Sequence, residues 1–300
     1  MMDKILVTGA SGFVGYHLVQ HLRKNNYSVV VLLRPSSDTK KLKKILNESE
    51  IVLFDGDVAS LADVLAQQKI TTVAHLASLY IAEHQASDID NLIDSNVRFG
   101  LFVLEAMNIA GVRKLLNVGT SWQNYHGDEY NPVNLYAATK QAFEDLIQYY
   151  VKACGFRCIT LRLFDTYGEN DERKKLIQLL IETALWGQSL DMSPGGQKID
   201  LCHVDDICHA MEMAINQLAE LRSANSLVYG TSSGSRVTLK ELVRLVEQVT
   251  GKSLTINWGA RNYRNREVME PCDNYAPVPG WLPKVGLQDG IARVYNVVRV

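Results

Sequence analysis

Tyr136 and Lys140 bracket the segment Tyr136-Ala137-Ala138-Thr139-Lys140. On a helix this spacing sets both side chains on one face, a turn apart. A free tyrosine titrates near pH ~10. A neighbouring ammonium favours the phenolate, so the pair suits proton transfer to or from a carbonyl or carbinol oxygen. The same spacing also fits an ordinary exposed helix pair, and only the rest of the chain separates the two readings.

A second chemical segment is Thr8-Gly9-Ala10-Ser11-Gly12-Phe13-Val14-Gly15. It follows the apolar run 5–7 and precedes a helical pattern over residues 16–25, with a second buried strand expected over 28–33. Glycines allow a tight turn and close approach of the backbone to a phosphate. The amides and dipole of the following helix favour negative charge. This is the context expected of a dinucleotide site. The second strand ends Leu32-Leu33-Arg34, with no carboxylate to accept from the ribose 2′-hydroxyl of NAD. Arg34, with the hydroxyls of Ser36 and Ser37, can instead pair a 2′-phosphate, which favours NADP(H) over NAD(H). An arginine merely facing solvent is the alternative.

The elements that must hold these groups follow from composition and pattern. The chain has 300 residues, 47% hydrophobic and 21% charged, a size for one large domain or two unequal ones. A formal net charge of −2 argues against a general polyanion binder, so nucleic acid is not an expected partner. No apolar run approaches the ~18 residues of a membrane helix, and the start lacks a signal-peptide layout. A cytoplasmic protein without membrane contact is expected. Five cysteines without a Cys-x-x-Cys pair fit a reduced compartment and no metal site.

Further apolar runs at 51–54, 72–76, 114–118 and 158–163 alternate with helical stretches such as 94–110 and 135–153. That alternation implies an α/β fold, a Rossmann-type doubly wound parallel sheet. After Tyr167 strands thin out and helices are expected over 173–186, 204–221 and 239–250. The tail 257–283 reads as a loop region closing over a ligand. The expectation is an NADP(H)-binding domain over 1–166 and a smaller C-terminal α/β substrate-binding lobe over 167–300, with an approximate boundary and segments free to interleave.

Taken in order, Thr8-Gly9-x-x-Gly12-x-x-Gly15, Gly56-Asp57-Val58, His75-Leu76-Ala77, Gly119-Thr120-Ser121, Tyr136-x-x-x-Lys140, Tyr167-Gly168 and His203-Val204-Asp205-Asp206 resemble the extended short-chain dehydrogenase/reductase family. Within it the chain looks like the nucleotide-sugar epimerase, dehydratase and ketoreductase branch. The resemblance implies a cofactor along Gly9, Ser11, Gly12, Phe13, Val14 and Gly15, with Asp57 and Val58 at the adenine. Leu76 and Ala77 would pass beside the ribose and pyrophosphate, and Asn96 would be a polar neighbour. It implies Tyr136 as acid/base, Lys140 on the nicotinamide ribose while lowering the tyrosine pKa, and Ser121, with Thr120, on the reacting sugar oxygen. Arg264 matches an arginine that reaches the substrate diphosphate, with Arg261 and Arg266 as competitors. A homodimer pairing the helices over 94–110 and 135–153 is usual in that family.

Three departures narrow the implied reaction. The 4,6-dehydratases carry Asp-Glu after the hydroxyl residue, whereas this chain has Trp122-Gln123, neither of which transfers protons usefully. Asp165 stands where many relatives carry Asn before Tyr-Gly, putting a negative charge near the expected diphosphate. Arg34 leans toward net reduction, which draws on NADPH. The segment between Ser121 and Tyr136 and the tail ending Gly280-Trp281-Leu282-Pro283 look similar to bacterial synthases of CDP-linked 3,6-dideoxyhexoses. The implied function is reduction of the C4 ketone of a nucleotide-activated 4-keto-deoxy sugar by NADPH. An epimerase acting through transient oxidation is the alternative, followed by a non-sugar carbonyl reductase and a non-catalytic NADP sensor.

Overall fold

The computed structural model describes residues 3–127, 129–173, 175–272 and 274–299. The chain lays down β1 (Lys4–Thr8), α1 (Phe13–Lys24), β2 (Ser28–Leu33), β3 (Ile51–Leu53), α2 (Val58–Gln67), β4 (Thr72–His75), α3 (Ile89–Ile93), α4 (Phe99–Ala110), β5 (Lys114–Thr120), α5 (Leu135–Cys154) and β6 (Arg157–Leu163). It continues through β7 (Asp165–Tyr167), α6 (Leu176–Trp186), β8 (Ser189–Met192), β9 (Lys198–His203), α7 (Val204–Glu220), β10 (Asn225–Gly230), β11 (Arg236–Thr238), α8 (Leu239–Thr250), β12 (Thr255–Trp258) and α9 (Leu287–Val298).

Seven parallel strands form the main sheet in the order β10-β6-β5-β4-β1-β2-β3. Its central strands are continuous apolar runs, Ile5-Leu6-Val7 and Val29-Val30-Val31 among them, because helices cover both faces. On one face α1 and α7 close over Ile5, Val7, Leu116 and Ile159. On the other, α2, α4 and α5 bury Leu6, Val30, Val73 and Leu115. This is the expected doubly wound α/β fold. A three-stranded sheet, β11-β9-β7, and a two-stranded one, β12-β8, pack with α6, α8 and α9 around a core of their own.

Residue 166 does not divide the fold into two consecutive pieces. α7 turns Val204, Ile207, Met211, Ile215 and Leu218 onto the main core, and β10 pairs with β6 in parallel from Asn225↔Arg157 to Gly230↔Arg162. Residues 204–230 therefore lie on the main sheet, and the segments interleave. The tail is fastened from the same side: Trp281, 2% exposed, donates its indole N–H to the Asp206 carbonyl, and the Asp206 carboxylate accepts the Lys284 and Val285 amides.

Two helix starts differ from the pattern. α1 begins at Phe13 rather than 16, because the turn passes straight into it, Tyr16 N donating to Gly12 O at 2.9 Å. α6 begins at Leu176 rather than 173. The Arg173 amide and guanidinium are held by the Asp171 carboxylate at 2.7–3.1 Å, and the guanidinium lies over the Phe13 ring.

Candidate active site

The strand ends of the main sheet open on a cleft of about 1960 Å³ shared with the second lobe. Single-ligand pockets run to about 300–1,000 Å³, so a dinucleotide and a second large ligand fit together. Gly9, Ser11, Gly12, Phe13, Val14 and Gly15 line one end, with Arg34 and Ser37 beyond them and Leu76 and Ala77 alongside. The turn is locked from below. Thr8 Oγ1 accepts the Leu76 and Ala77 amides at 3.1 Å each and contacts His75 Nδ1 at 3.0 Å. Gly9 must be glycine for this approach, because a Cβ there would stand 2.6 Å from Ala77 N and its φ is +71°. With no acidic residue in the first turn of α1, its amides keep an uncompensated preference for a phosphate. These residues fit a nicotinamide dinucleotide.

The reactive groups occupy the middle of the cleft. Asn134 caps α5, accepting from Ala137 N at 2.9 Å while donating to Ala82 O at 3.0 Å, which fixes where Tyr136 and Lys140 emerge. Ser121 follows β5 in a short turn whose cap is Thr120, and Thr120, Ser121, Tyr136 and Lys140 all line the cleft. The structure does not lower the tyrosine pKa as expected. Burial pushes Tyr136 up to about 12, with Ser78 and Arg173 opposing, and pushes Lys140 down to about 8. Desolvation outweighs the Ser78 hydrogen bond and the Arg173 charge, so the phenol stays protonated.

Toward the second lobe lie groups that the sequence pattern did not single out. Tyr80 stands edge-on to Tyr136 at 5.1 Å and near Trp122 at 5.8 Å, with the Lys175 ammonium 4.5 Å above its ring. Burial lowers the Lys175 pKa and raises that of Asp165, and each charge opposes the shift of the other. Arg173, Lys175, Lys198, Arg261 and Arg264 line this end among the carboxylates of Asp165, Asp191, Asp200, Glu267 and Glu270. Of the competing arginines, Arg266 is engaged elsewhere, stacked on Tyr125 and bonded to Asn131, whereas Arg264 lines the cleft.

Ser36, Asp57, Val58 and Asn96, singled out from the sequence, do not line the cleft. Asp57 caps α2, accepting from Ser60 N at 2.8 Å and Ser60 Oγ at 2.6 Å, and Val58 begins that helix. Phe54 lines the cleft instead. Asn96, 1% exposed, sits behind the wall and braces it through Ser78, the Leu79 backbone and Thr139. Ser78 follows directly on His75-Leu76-Ala77, so reading that motif one residue further would have reached it. Tyr80 and Lys175 carry no such local signal. Among the described residues no three His, Cys, Asp or Glu side chains gather to hold a metal ion, and no helix is long and apolar enough to cross a membrane.

Comparisons with known proteins agree with this architecture. The model of the NAD dependent epimerase/dehydratase family matches residues 5–230. The chain is 27% identical to a CDP-abequose synthase of Salmonella muenchen, covering 98% of this chain and 97% of that protein. It is 28% identical to the CDP-abequose synthase of Yersinia pseudotuberculosis, over 91% and 93%. Among solved structures, MoeE5 in complex with UDP-glucose and NAD superposes with a TM-score of 0.81, at 27% identity over 99% of both chains. The likeness runs along nearly the whole length, and the chain belongs to the NAD dependent epimerase/dehydratase family, a branch of the extended short-chain dehydrogenases/reductases that modifies nucleotide sugars.

Proposed function

We propose that the chain reduces the C4 ketone of a nucleotide-diphosphate-linked 4-keto-deoxy sugar with NADPH. The observation that carries this reading is the placement of Tyr136 and Ser121 in one cleft, between the glycine turn and the arginines and lysine of the second lobe. Trp122 and Gln123, in place of an acid pair after Ser121, leave Tyr136 as the proton carrier of the reaction. The likeness to two CDP-abequose synthases over nearly the full length supports the same reading.

Gly9–Gly15 would hold the pyrophosphate of a nicotinamide dinucleotide, which when bound would supply the hydride. Tyr136 gives its proton to the ketone oxygen as charge develops there, and Ser121 hydrogen-bonds the same oxygen. Lys140 holds the nicotinamide ribose. Arg264 grips the diphosphate of the substrate, and Arg34 pairs the 2′-phosphate that distinguishes NADPH. A cytoplasmic location belongs to the same proposal. A homodimer joining the helical faces around α4 and α5 accounts for the exposure of Ile93, Ile109 and Tyr149. A sedimenting species of monomer mass alone would exclude it.

The deciding experiment incubates the protein with CDP-, dTDP-, UDP- and GDP-4-keto-6-deoxy sugars and nicotinamide-deuterated NADPH. Stoichiometric loss of NADPH with one deuterium at C4 of the product supports the reductase. A rearranged sugar with NADPH unspent would establish the epimerase instead.

A further inference from the structure

α5 carries a third side chain in line with Tyr136 and Lys140. Glu144 lies one further turn along the same face, 7% exposed and beneath the cleft rather than in its wall. Its oxygens are both engaged: Oε2 accepts from Arg162 Nη2 at 2.8 Å, and Oε1 accepts from Gln123 Nε2 at 3.0 Å. Gln123 Oε1 in turn accepts the Thr120 amide at 3.0 Å, next to Ser121. One carboxylate thus joins the loop of Ser121, the helix of Tyr136 and Lys140, and strand β6. The packing leaves no slack, since a Cβ at Gly119 would stand 2.9 Å from Gln123 Oε1 and 3.0 Å from Glu144 Oε1.

A buried ion pair is by itself a poor source of stability, because apolar side chains of similar volume often replace it without loss. Placed a turn away from a buried lysine that must act as a cation, it has a different use. We propose that Glu144, held by Arg162 and Gln123, is a positioning residue that ties the helix of Lys140 to the loop of Ser121 and sets an anion one turn from the Lys140 ammonium for its grip on the nicotinamide ribose. The proposal rests on the assignment of Lys140 to that ribose.

The surrounding charges give the sign. Burial pushes Lys140 down to about 8; Glu144 opposes the shift and Arg162 adds to it. Burial pushes Glu144 up to about 7, opposed by Arg162 and Lys140, with Asp145 acting the other way. The remaining neighbours, His75 beside Lys140 and Cys158 and Tyr275 around Glu144, are all held in their neutral forms by burial. With the Glu144 carboxylate removed, burial and Arg162 act together on Lys140, so its ammonium is lost at lower pH.

The test measures NADPH affinity against pH by nucleotide fluorescence, without substrate, for the wild type and Glu144→Gln. In the wild type, binding weakens as pH rises through the Lys140 value of about 8. In Glu144→Gln the midpoint moves down by about one pH unit, the low end of the effect of a close opposite charge. If that variant does not fold, as shown by loss of its melting transition, the double variant Glu144→Gln, Arg162→Gln removes both charges, and the smaller shift remains downward. An unchanged midpoint in a folded variant overturns the proposal. Absence of NADPH binding to the wild type, by contrast, would overturn the functional reading on which it rests.

Discussion

Thr8 donates its hydroxyl proton to His75 Nδ1 across 3.0 Å, because both lone pairs of Thr8 Oγ1 are occupied by the amides of Leu76 and Ala77. The imidazole therefore carries its own proton on Nε2, a buried atom without a hydrogen-bond partner among the described residues. This contact fastens β1 to β4 directly beneath the glycine turn, and it requires a neutral ring.

Stability should consequently fall in acid. Burial, followed by the charge of Lys140, lowers the His75 pKa from 6.5 to about 3. Below 6.5 the unfolded chain binds a proton that the native ring refuses, so the contribution is present above 6.5 and is lost as pH falls toward about 3. The slope approaches ~1.4 kcal/mol per pH unit. His75→Gln should be less stable near neutrality yet show a flatter decline with acid. Urea unfolding midpoints between about pH 7.5 and about pH 4.5 test this, and parallel slopes would show that His75 is not the responsible group.

Tyr136→Phe removes the proton donor while leaving the ring that packs against Tyr80. Turnover should fall by about 10²–10⁴-fold, the usual worth of a positioned acid, with NADPH affinity nearly unchanged. Steady-state kinetics beside a fluorescence titration separates the two. A variant that lost affinity and turnover together would instead give Tyr136 a binding role.

How far the site was legible in the sequence depends on where each side chain is positioned. Tyr136 and Lys140 were readable because one turn of one helix sets their relation, and the glycine turn because a strand, a bend and a helix are adjacent in the chain. The placement of α7 was not, since an apolar stripe announces burial without naming the surface that covers it. Asp57 shows a different limit: an acidic residue before a helix is equally a cap and a ligand, and the Ser60 amide and hydroxyl engage it. Lys175 and Tyr80 meet from loops far apart in sequence, so no spacing rule could pair them.

Arg34 is exposed at the mouth of the cleft, immediately after β2. Pairing with the 2′-phosphate would make Arg34→Ala bind NADPH about tenfold more weakly, a loss of ~1.4 kcal/mol, with little effect on NADH. Dissociation constants for the two cofactors, measured at one ionic strength, decide the matter. Equal losses for both would move the selectivity away from this residue.

Gln123 stands where the dehydratases have their glutamate, yet its amide is buried and donates to both Gln141 at 2.9 Å and Glu144 at 3.0 Å. Gln123→Glu would set a carboxylate against those two acceptors, one of them a carboxylate already. Both acids cannot ionise side by side, so the pair would retain a proton well above the ordinary carboxylate range. Their folded pKa values being raised, the penalty is small in acid and grows as pH rises through them. At alkaline pH it should reach about 3 kcal/mol, the scale of an uncompensated buried charge. Melting temperatures of the variant should therefore fall relative to the wild type as pH increases, and no water should be eliminated from a nucleotide hexose. A variant with unaltered melting and new dehydratase activity would mean that the side chain at 123 reaches the cleft rather than Glu144.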